Sequence, residues 1–494
     1  MRSSAASDVY KRQEVKLAEP SGDKETVEQK TGEQGSLIEG PVQNGWLSGF
    51  GDQDLVTHAQ KALDNNPNLL ASAAQLKSAI EQVTINGAQL WPRAQLNYRD
   101  NETKVKGPAG GGVSNVGGIA VDSSAGGQIG DTITTEVRTI SATLDVSWEA
   151  DIWGKLTQRK KSAALNAKAQ AETFKAAEFS LVANVSRAWY NMITNKLQVE
   201  LAEQRLESFE RTAALIDENY KRGLRSALDV YLSRTDVQLQ VSNLADAQFN
   251  YTQALRTFKT LLGEYPDSEL QFSAVLPEIN EPVPAGLPAE LLTRRPDIRA
   301  SQLQYEAQIA SAKAANRDRY PSLTFSGSIG DSRDEFDALF DNDNMIRTLV
   351  AGLVQPVFLA GELKAREQSA LYQAEASYAS LVNTTLTAFQ EVEDSLSREE
   401  SLKAQHTAVK EAVKFAQGGL DLALDRYQSG IENYTTVLEA QRRLFDSRRN
   451  EINIRNALLQ NRIGIHLALG GDFSTTPDRD PSQDLPQIAA NEEE

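Results

Sequence analysis

The chain has 494 residues, a formal charge of −17 and a mean hydropathy of −0.44, a water-exposed acidic surface that argues against nucleic acid as its main partner. It contains no cysteine, which excludes disulfides and thiolate metal sites, and its three histidines, His58, His406 and His466, lie far apart and read as ordinary helix residues. No stretch reaches the roughly 18–20 apolar residues of a membrane helix, but the strands of a β-barrel need only ~9–11 residues each and leave no such mark.

In chain order, residues 1–13 (MRSSAASDVYKRQ) lack the apolar core of a signal peptide and read as a spurious leader, with any true signal sequence or lipid-bearing cysteine expected upstream. Residues 14–51 are polar and read as an extended N-terminal arm. A first repeat spans 52–265. It opens with an Ala- and Leu-rich helical stretch, 52–89, in which Asn65-Asn66-Pro67 marks a break. The period then changes from helix to strand at about 90–100, where Ala94, Leu96 and Tyr98 alternate with Arg93, Gln95, Asn97 and Arg99. After a long glycine-rich loop, a second strand at about 136–149 sets Ile140, Ala142, Leu144, Val146 and Trp148 against Ser141, Thr143, Asp145 and Ser147. A long helix over 154–219 would span roughly 100 Å at ~1.5 Å per residue. Gly223 reverses it, and 226–263 returns.

A proline-rich connector, 266–296, leads to a second repeat over 297–473. It comprises a helix, strands at about 320–330 and 346–358, and long helices at 361–426 and 433–470. Residues 474–494 read as a disordered acidic tail. The two repeats are one unit written twice. Tyr220-Lys221-Arg222-Gly223 is answered by Tyr427-Gln428-Ser429-Gly430, an offset of 427 − 220 = 207 that also relates Gly154 to Gly361 and Gly263 to Gly470. Apolar residues recur in steps of three and four along the long helices, as in a coiled-coil seam. A period this long is a duplicated domain half rather than a solenoid repeat.

The fold class is therefore mainly α with β, a duplicated α-β-β-α-α unit read as one elongated body. Four strands with one apolar face must pack against another layer or pool with strands of other copies, since about eight is the minimum for a spanning barrel. The helices look committed to coiled-coil packing with little spare apolar surface. Pooling is thus favoured, and three copies would give twelve strands. Trp91, Trp148, Trp153 and Phe358 fall near strand–helix junctions, where an interfacial aromatic belt would sit.

Three segments resemble a known family. Gly286 to Arg299 (GLPAELLTRRPDIR), continued at Tyr320-Pro321-Ser322-Leu323, resembles the mid-chain signature of TolC-type outer-membrane efflux factors, in the subgroup serving RND-type multidrug pumps. Trp148 to Gly154 (WEADIWG) resembles the passage from the family's second strand into its long helix. Arg426 to Gly430 (RYQSG), with Leu438 to Arg442 (LEAQR), resembles its second periplasmic tip. The resemblance covers roughly residues 46–473. It implies a homotrimer whose twelve-stranded barrel spans the outer membrane of a Gram-negative bacterium and whose helical tunnel reaches into the periplasm. Outer-membrane lipid, a periplasmic adaptor and an inner-membrane RND-type pump are the implied partners. Many members of the subgroup are lipoproteins anchored through an N-terminal cysteine, which this chain lacks.

The same resemblance points to functional positions. Gly223 and Gly430 sit at the tips where the adaptor docks, although a plain hairpin turn explains them equally well. Glu439 matches an acidic residue presented to the tunnel lumen, and by symmetry would form a ring of three carboxylates. Thr435 and Thr436 match other constriction positions, Thr436 standing where some members carry aspartate. Tyr427 and Asp229 match a contact that braces the closed state, and Glu432 replaces an arginine of that network. No cofactor is implied and no enzyme reading holds: the run from Gly107 to Ser114 (GPAGGGVS) lacks the Lys-Ser/Thr of a phosphate loop. The expected function is a passive exit duct for small molecules. The alternatives are a duct for type I protein secretion or a coiled-coil scaffold without a pore.

Overall fold

Each copy of the repeat folds as helix, hairpin and long helical pair, in a computed structural model that describes residues 45–108, 114–116, 119–121, 132–278, 294–333 and 345–471. These all belong to one unit, Gln43–Ile279 with Pro288–Glu494. The leader, most of the arm, the acidic tail and the GLPAELLT part of the mid-chain signature lie outside the described residues.

In the first copy, α1 (Gln53–Asn65) and α2 (Pro67–Ala88) lead into β1 (Arg93–Pro108) and β4 (Thr132–Ala150), then α3 (Lys155–Lys221) and α4 (Ala227–Leu261). Between the strands, in the region expected to be loop, β2 (Ser114–Val116) pairs with β3 (Ile119–Val121). The second copy has α5 (Pro296–Arg317), β5 (Ser322–Arg333), β6 (Ile346–Val354), α6 (Glu362–Gln428) and α7 (Tyr434–Ala468). Helices α3 and α6 have 67 residues each, and α4 and α7 have 35 each, all at the offset of 207. Upstream, α2 and α5 are 296 − 67 = 229 apart. The difference, 229 − 207 = 22 residues, is extra length in the first hairpin.

One contact is repeated with different chemistry. The residue before each proline reaches the last carbonyl of the copy's return helix. Asn66 Nδ2 donates to Leu261 O at 2.8 Å, and Arg295 Nη1 donates to Ala468 O at 3.0 Å. Both caps satisfy a carbonyl that the helix end leaves open, and arginine adds a favourable charge at the negative end of the dipole. Asn66 also accepts from the amides of Asn68 and Leu69, so one side chain ends α4 and starts α2. Arg295 also pairs with Asp297 and Glu391. This gives the Arg-Pro-Asp of the mid-chain signature a structural role.

The four main strands form one antiparallel sheet in the order β1-β4-β5-β6, with β4–β5 joining the two copies. The helices pack on one another: α3 on α2, α4, α5 and α7, and α6 on α5 and α7. The largest core gathers Trp46, Leu55, Trp189, Tyr190, Phe258 and Ile463, where the end of the arm, α1, α3, α4 and α7 meet. Contrary to the expectation of little spare apolar surface, α4 leaves Leu228, Tyr231, Leu239 and Phe249 exposed, and α6 leaves Tyr372, Leu386 and Phe415 exposed. The coiled-coil pattern reports the seam each helix makes within its own hairpin and hides this second face.

Candidate functional site

At both tips the reversal is a Schellman motif. Gly223 (φ 75°) and Gly430 (φ 77°) take the left-handed conformation after the last helical turn. Gly223 N donates to Tyr220 O and Leu224 N to Asn219 O; Gly430 N donates to Tyr427 O and Ile431 N to Arg426 O. No described atom lies within 4 Å of where a Cβ would stand at either position, so backbone conformation alone favours glycine there. Beside these turns Leu224, Leu228 and Ile431 are exposed.

Just inside the tips, four helices close on Ile216, Val230, Leu420, Tyr427, Tyr434 and Val437. Tyr427 is fully buried and its hydroxyl has no hydrogen-bond partner among the described residues, so the expected Tyr427–Asp229 contact is not a hydrogen bond within the chain. Asp229 acts on it through space: burial raises the Tyr427 pKa, Arg225 opposes the rise and Asp229 adds to it. Arg225 lies over the Tyr427 ring, 4.2 Å from its centroid, and donates to Tyr427 O at 2.9 Å. Glu432 accepts from the Thr436 hydroxyl and pairs with Arg426.

A stronger tie lies one to two turns above. The buried carboxylate of Asp236 on α4 accepts from the Tyr434 hydroxyl and from Arg442 Nη2, each at 3.0 Å, both from α7. Burial first, and then the Asp236 charge, push the Tyr434 pKa well above its ordinary range. Sequence reasoning missed this node because a helix carboxylate reads by default as a solvated face. The signal available was Asp236 at a seam position, with Val230 and Ser233 buried on the same face.

Thr435, Thr436 and Glu439 share one exposed face of α7 and line a groove of about 1200 Å³ against α6. The Glu439 carboxylate is not free: Arg443 Nε donates to it at 2.9 Å. Tyr427 and Asp229 do not line this groove. They sit in and beside the buried cluster on the other side of α7.

At the opposite end, the aromatics mark the sheet–helix junction. Trp148 Nε1 donates to Leu90 O and its ring stacks on Phe325; Trp153 Nε1 donates to Pro321 O and stacks on Tyr320. Trp91 and Phe358 are 73% and 85% exposed. Phe358 lies past the end of β6 rather than in a strand, and Tyr320, noted in the sequence only as part of the mid-chain signature, joins the aromatic group. Register places Ala150–Leu323–Leu353, Trp148–Phe325–Ala351, Ala94–Val146–Gly327–Leu349 and Leu96–Leu144–Ile329 in successive rows on one face. Beyond them come Asp331, Arg333 and Asp100, with Arg347 at the β6 edge of the last apolar row. The other face carries Arg93–Ser147–Ser326 and Gln95–Asp145–Ser328–Thr348, although Val350 and Ile346 break the alternation on β6.

Among the described residues no group of three His, Cys, Asp or Glu side chains could hold a metal ion, and no helix is long and apolar enough to cross a membrane.

The outer membrane efflux protein family matches residues 58–264 and 287–471. The chain is 30% identical over 436 residues to the pyoverdine export outer membrane protein OpmQ of Pseudomonas aeruginosa, covering 87% of this chain and 88% of the relative. It is 29% identical over 428 residues to the toluene efflux pump outer membrane protein TtgF of Pseudomonas putida, covering 87% of this chain and 85% of the relative. Its fold matches the Campylobacter jejuni CmeC outer membrane channel with a TM-score of 0.78 at 20% identity, over 90% of this chain and 92% of that one.

Proposed function

The chain belongs to the outer membrane efflux protein family, and from that premise we propose that three copies close into one passive conduit. The chain is an exit duct of the outer membrane of a Gram-negative bacterium and not an enzyme. In the proposed assembly, a twelve-stranded barrel crosses the membrane. The helical tips meet a periplasmic adaptor, and an inner-membrane RND-type pump supplies the energy.

The observation that carries this reading is a pair of open edges. Among the described residues the sheet ends in β1 on one side and β6 on the other, so the outer backbone groups of each must find another strand. Helices α4 and α6 expose apolar side chains in the same way. In both layers one open edge belongs to the first copy of the repeat and the other to the second. Joining the first-copy edges of one chain to the second-copy edges of the next satisfies both layers at once, and such head-to-tail contacts form a ring when the rotation between copies closes, at three copies here.

The apolar band is short of a full crossing on its own. From Leu144 to Ala150, the rows that are apolar on β4 and β5, the strand rises ~20 Å at ~3.4 Å per residue, and a tilt of ~40° leaves ~16 Å against the ~25 Å band of outer-membrane barrels, with Tyr98, Ala142 and Ile140 extending it on β1 and β4 alone. Trp91, Trp148, Trp153 and Phe358, with Tyr320, form the belt at its lower rim. Thr435, Thr436 and Glu439 line the constriction, while Tyr427 on the buried side of the same hairpin is braced by Arg225 and Asp229 of the first-copy hairpin. The names of OpmQ and TtgF support small molecules as cargo over polypeptides.

Because the chain is free of cysteine, the edge pairing can be trapped directly. A cysteine at Asn97 on β1, paired in turn with one at Thr348, Val350 or Gly352 on β6, is oxidised in outer membranes and resolved on a denaturing gel. The proposal expects a ladder of two and three linked chains that stops at three. Absence of any intermolecular link in all pairs, or a ladder running on past three, contradicts it.

A further inference from the structure

The exposed face of α7 carries a second charge that the acidic-ring reading leaves out. Arg443 stands one turn beyond Glu439 and donates Nε to its carboxylate at 2.9 Å, with both side chains more than half exposed. Along the same groove the charges alternate as Glu439, Arg443, Asp446 and Arg449, which sum to zero. In an acidic chain of −17, α7 runs the other way, with six arginines against three carboxylates. The arrangement is confined to the second copy. At the offset of 207, Glu439 answers to Leu232 and Arg443 to the buried Asp236.

We propose that Arg443 is a specificity-determining residue of the duct: clamped on Glu439, it turns the acidic ring at the constriction into a charge-balanced Glu–Arg ring that passes anionic as well as cationic cargo. This rests on the reading that Glu439 faces the passage. Four residues of helix rise only ~6 Å, inside the ~8 Å screening length at physiological salt, so a permeating ion at the carboxylates also feels the guanidinium groups. A closed ring of carboxylates alone would enrich cations and exclude anions. With arginine bound to each, the field at the ring is that of a set of dipoles, which falls off steeply and favours neither sign.

The test is the potassium-to-chloride permeability ratio of the full-length assembled protein in planar bilayers. The parent channel is expected to discriminate weakly. Arg443→Gln should raise the ratio about 25-fold, since one unbalanced carboxylate ~4 Å from the ion in water enriches a cation about fivefold and depletes an anion as much. Glu439→Gln should lower the ratio, and Arg443→Lys should stay near the parent. The charge-free double variant Glu439→Gln/Arg443→Gln should also return near the parent, which a merely structural role for Arg443 would not produce. If Glu439→Gln shifts the ratio but Arg443→Gln does not, Glu439 lines the passage and the balanced ring is wrong. If neither substitution moves it, the constriction reading falls and this inference falls with it.

Discussion

The node at Asp236 offers a sharp test of how the two helical hairpins of one chain are held together. Asp236→Ala removes the acceptor of two hydrogen bonds, from Tyr434 and Arg442. The two losses are unequal. Tyr434 is 2% exposed, so its hydroxyl would be stranded away from water at a cost of ~1–3 kcal/mol. The Arg442 side chain is 46% exposed and can turn to solvent, so its share is small. A net loss of ~2 kcal/mol follows. If this contact breaks before the unfolding barrier, that is a roughly 30-fold faster rate of thermal unfolding. The readout is the decay of near-UV circular dichroism at fixed temperature in detergent, where native proteins of this size unfold on a measurable timescale. Asp236→Leu combined with Tyr434→Phe should recover at least half of the lost lifetime, since replacing both partners by apolar groups strands nothing. Parent-like decay of Asp236→Ala, or a double variant as short-lived as the single, would refute the reasoning.

Three further outcomes are expected. Burial, aided by Arg462, lowers the His466 pKa to about 4 from 6.5, while its ring stacks on Trp46. As pH falls, the unfolded chain takes up this proton before the folded one does. Stability should therefore drop between about pH 6.5 and 4, by up to ~3 kcal/mol, and level off below; denaturant midpoints of His466→Gln should lose that slope. Leu349→Arg, on the apolar face of β6, should cut the yield of assembled protein in outer membranes, at ~2–4 kcal/mol per chain near the bilayer centre. Thr348→Arg, on the opposite face, should be tolerated, and equal yields would remove the lipid-versus-lumen assignment. Gly223→Ala should cost only the ~1–2 kcal/mol of a left-handed conformation. Gly263→Ala, with nearly the same φ, should cost distinctly more because its Cβ would stand 2.5 Å from Asn65 O, and matched unfolding rates for the two would contradict that ranking.

The duplication, the strand faces and the helix ends were legible because each rests on a local rule. Alternation from Ala94 to Tyr98 and from Ile140 to Trp148 is the period of a strand, and glycines at 223, 263, 430 and 470 fall where helices end left-handed. The upper part of β1 was not legible. Past Tyr98 the run Asp100-Asn101-Glu102-Thr103-Lys104 has no apolar face, and its pairing is seen only through partners such as Arg138, which donates twice to Asp100. The same holds for the shared role of Asn66 and Arg295: two unlike side chains, one carbonyl position, and an offset of 229 that no 207-residue repeat reveals. At the tips, resemblance located Glu439 and Tyr427 but not their neighbours. Arg443, Arg225 and Asp236 become visible only when helix faces are paired in space.

The central claim, that open edges of sheet and helices are closed by two further copies, is tested most directly by the native mass of the protein extracted from outer membranes in mild detergent. Light scattering corrected for bound detergent should give a protein mass near 162 kDa, three times the 54.1 kDa chain, less any segment removed on export. A mass near one or two chains, or a species soluble without detergent, would mean that the edges stay open and that no barrel forms.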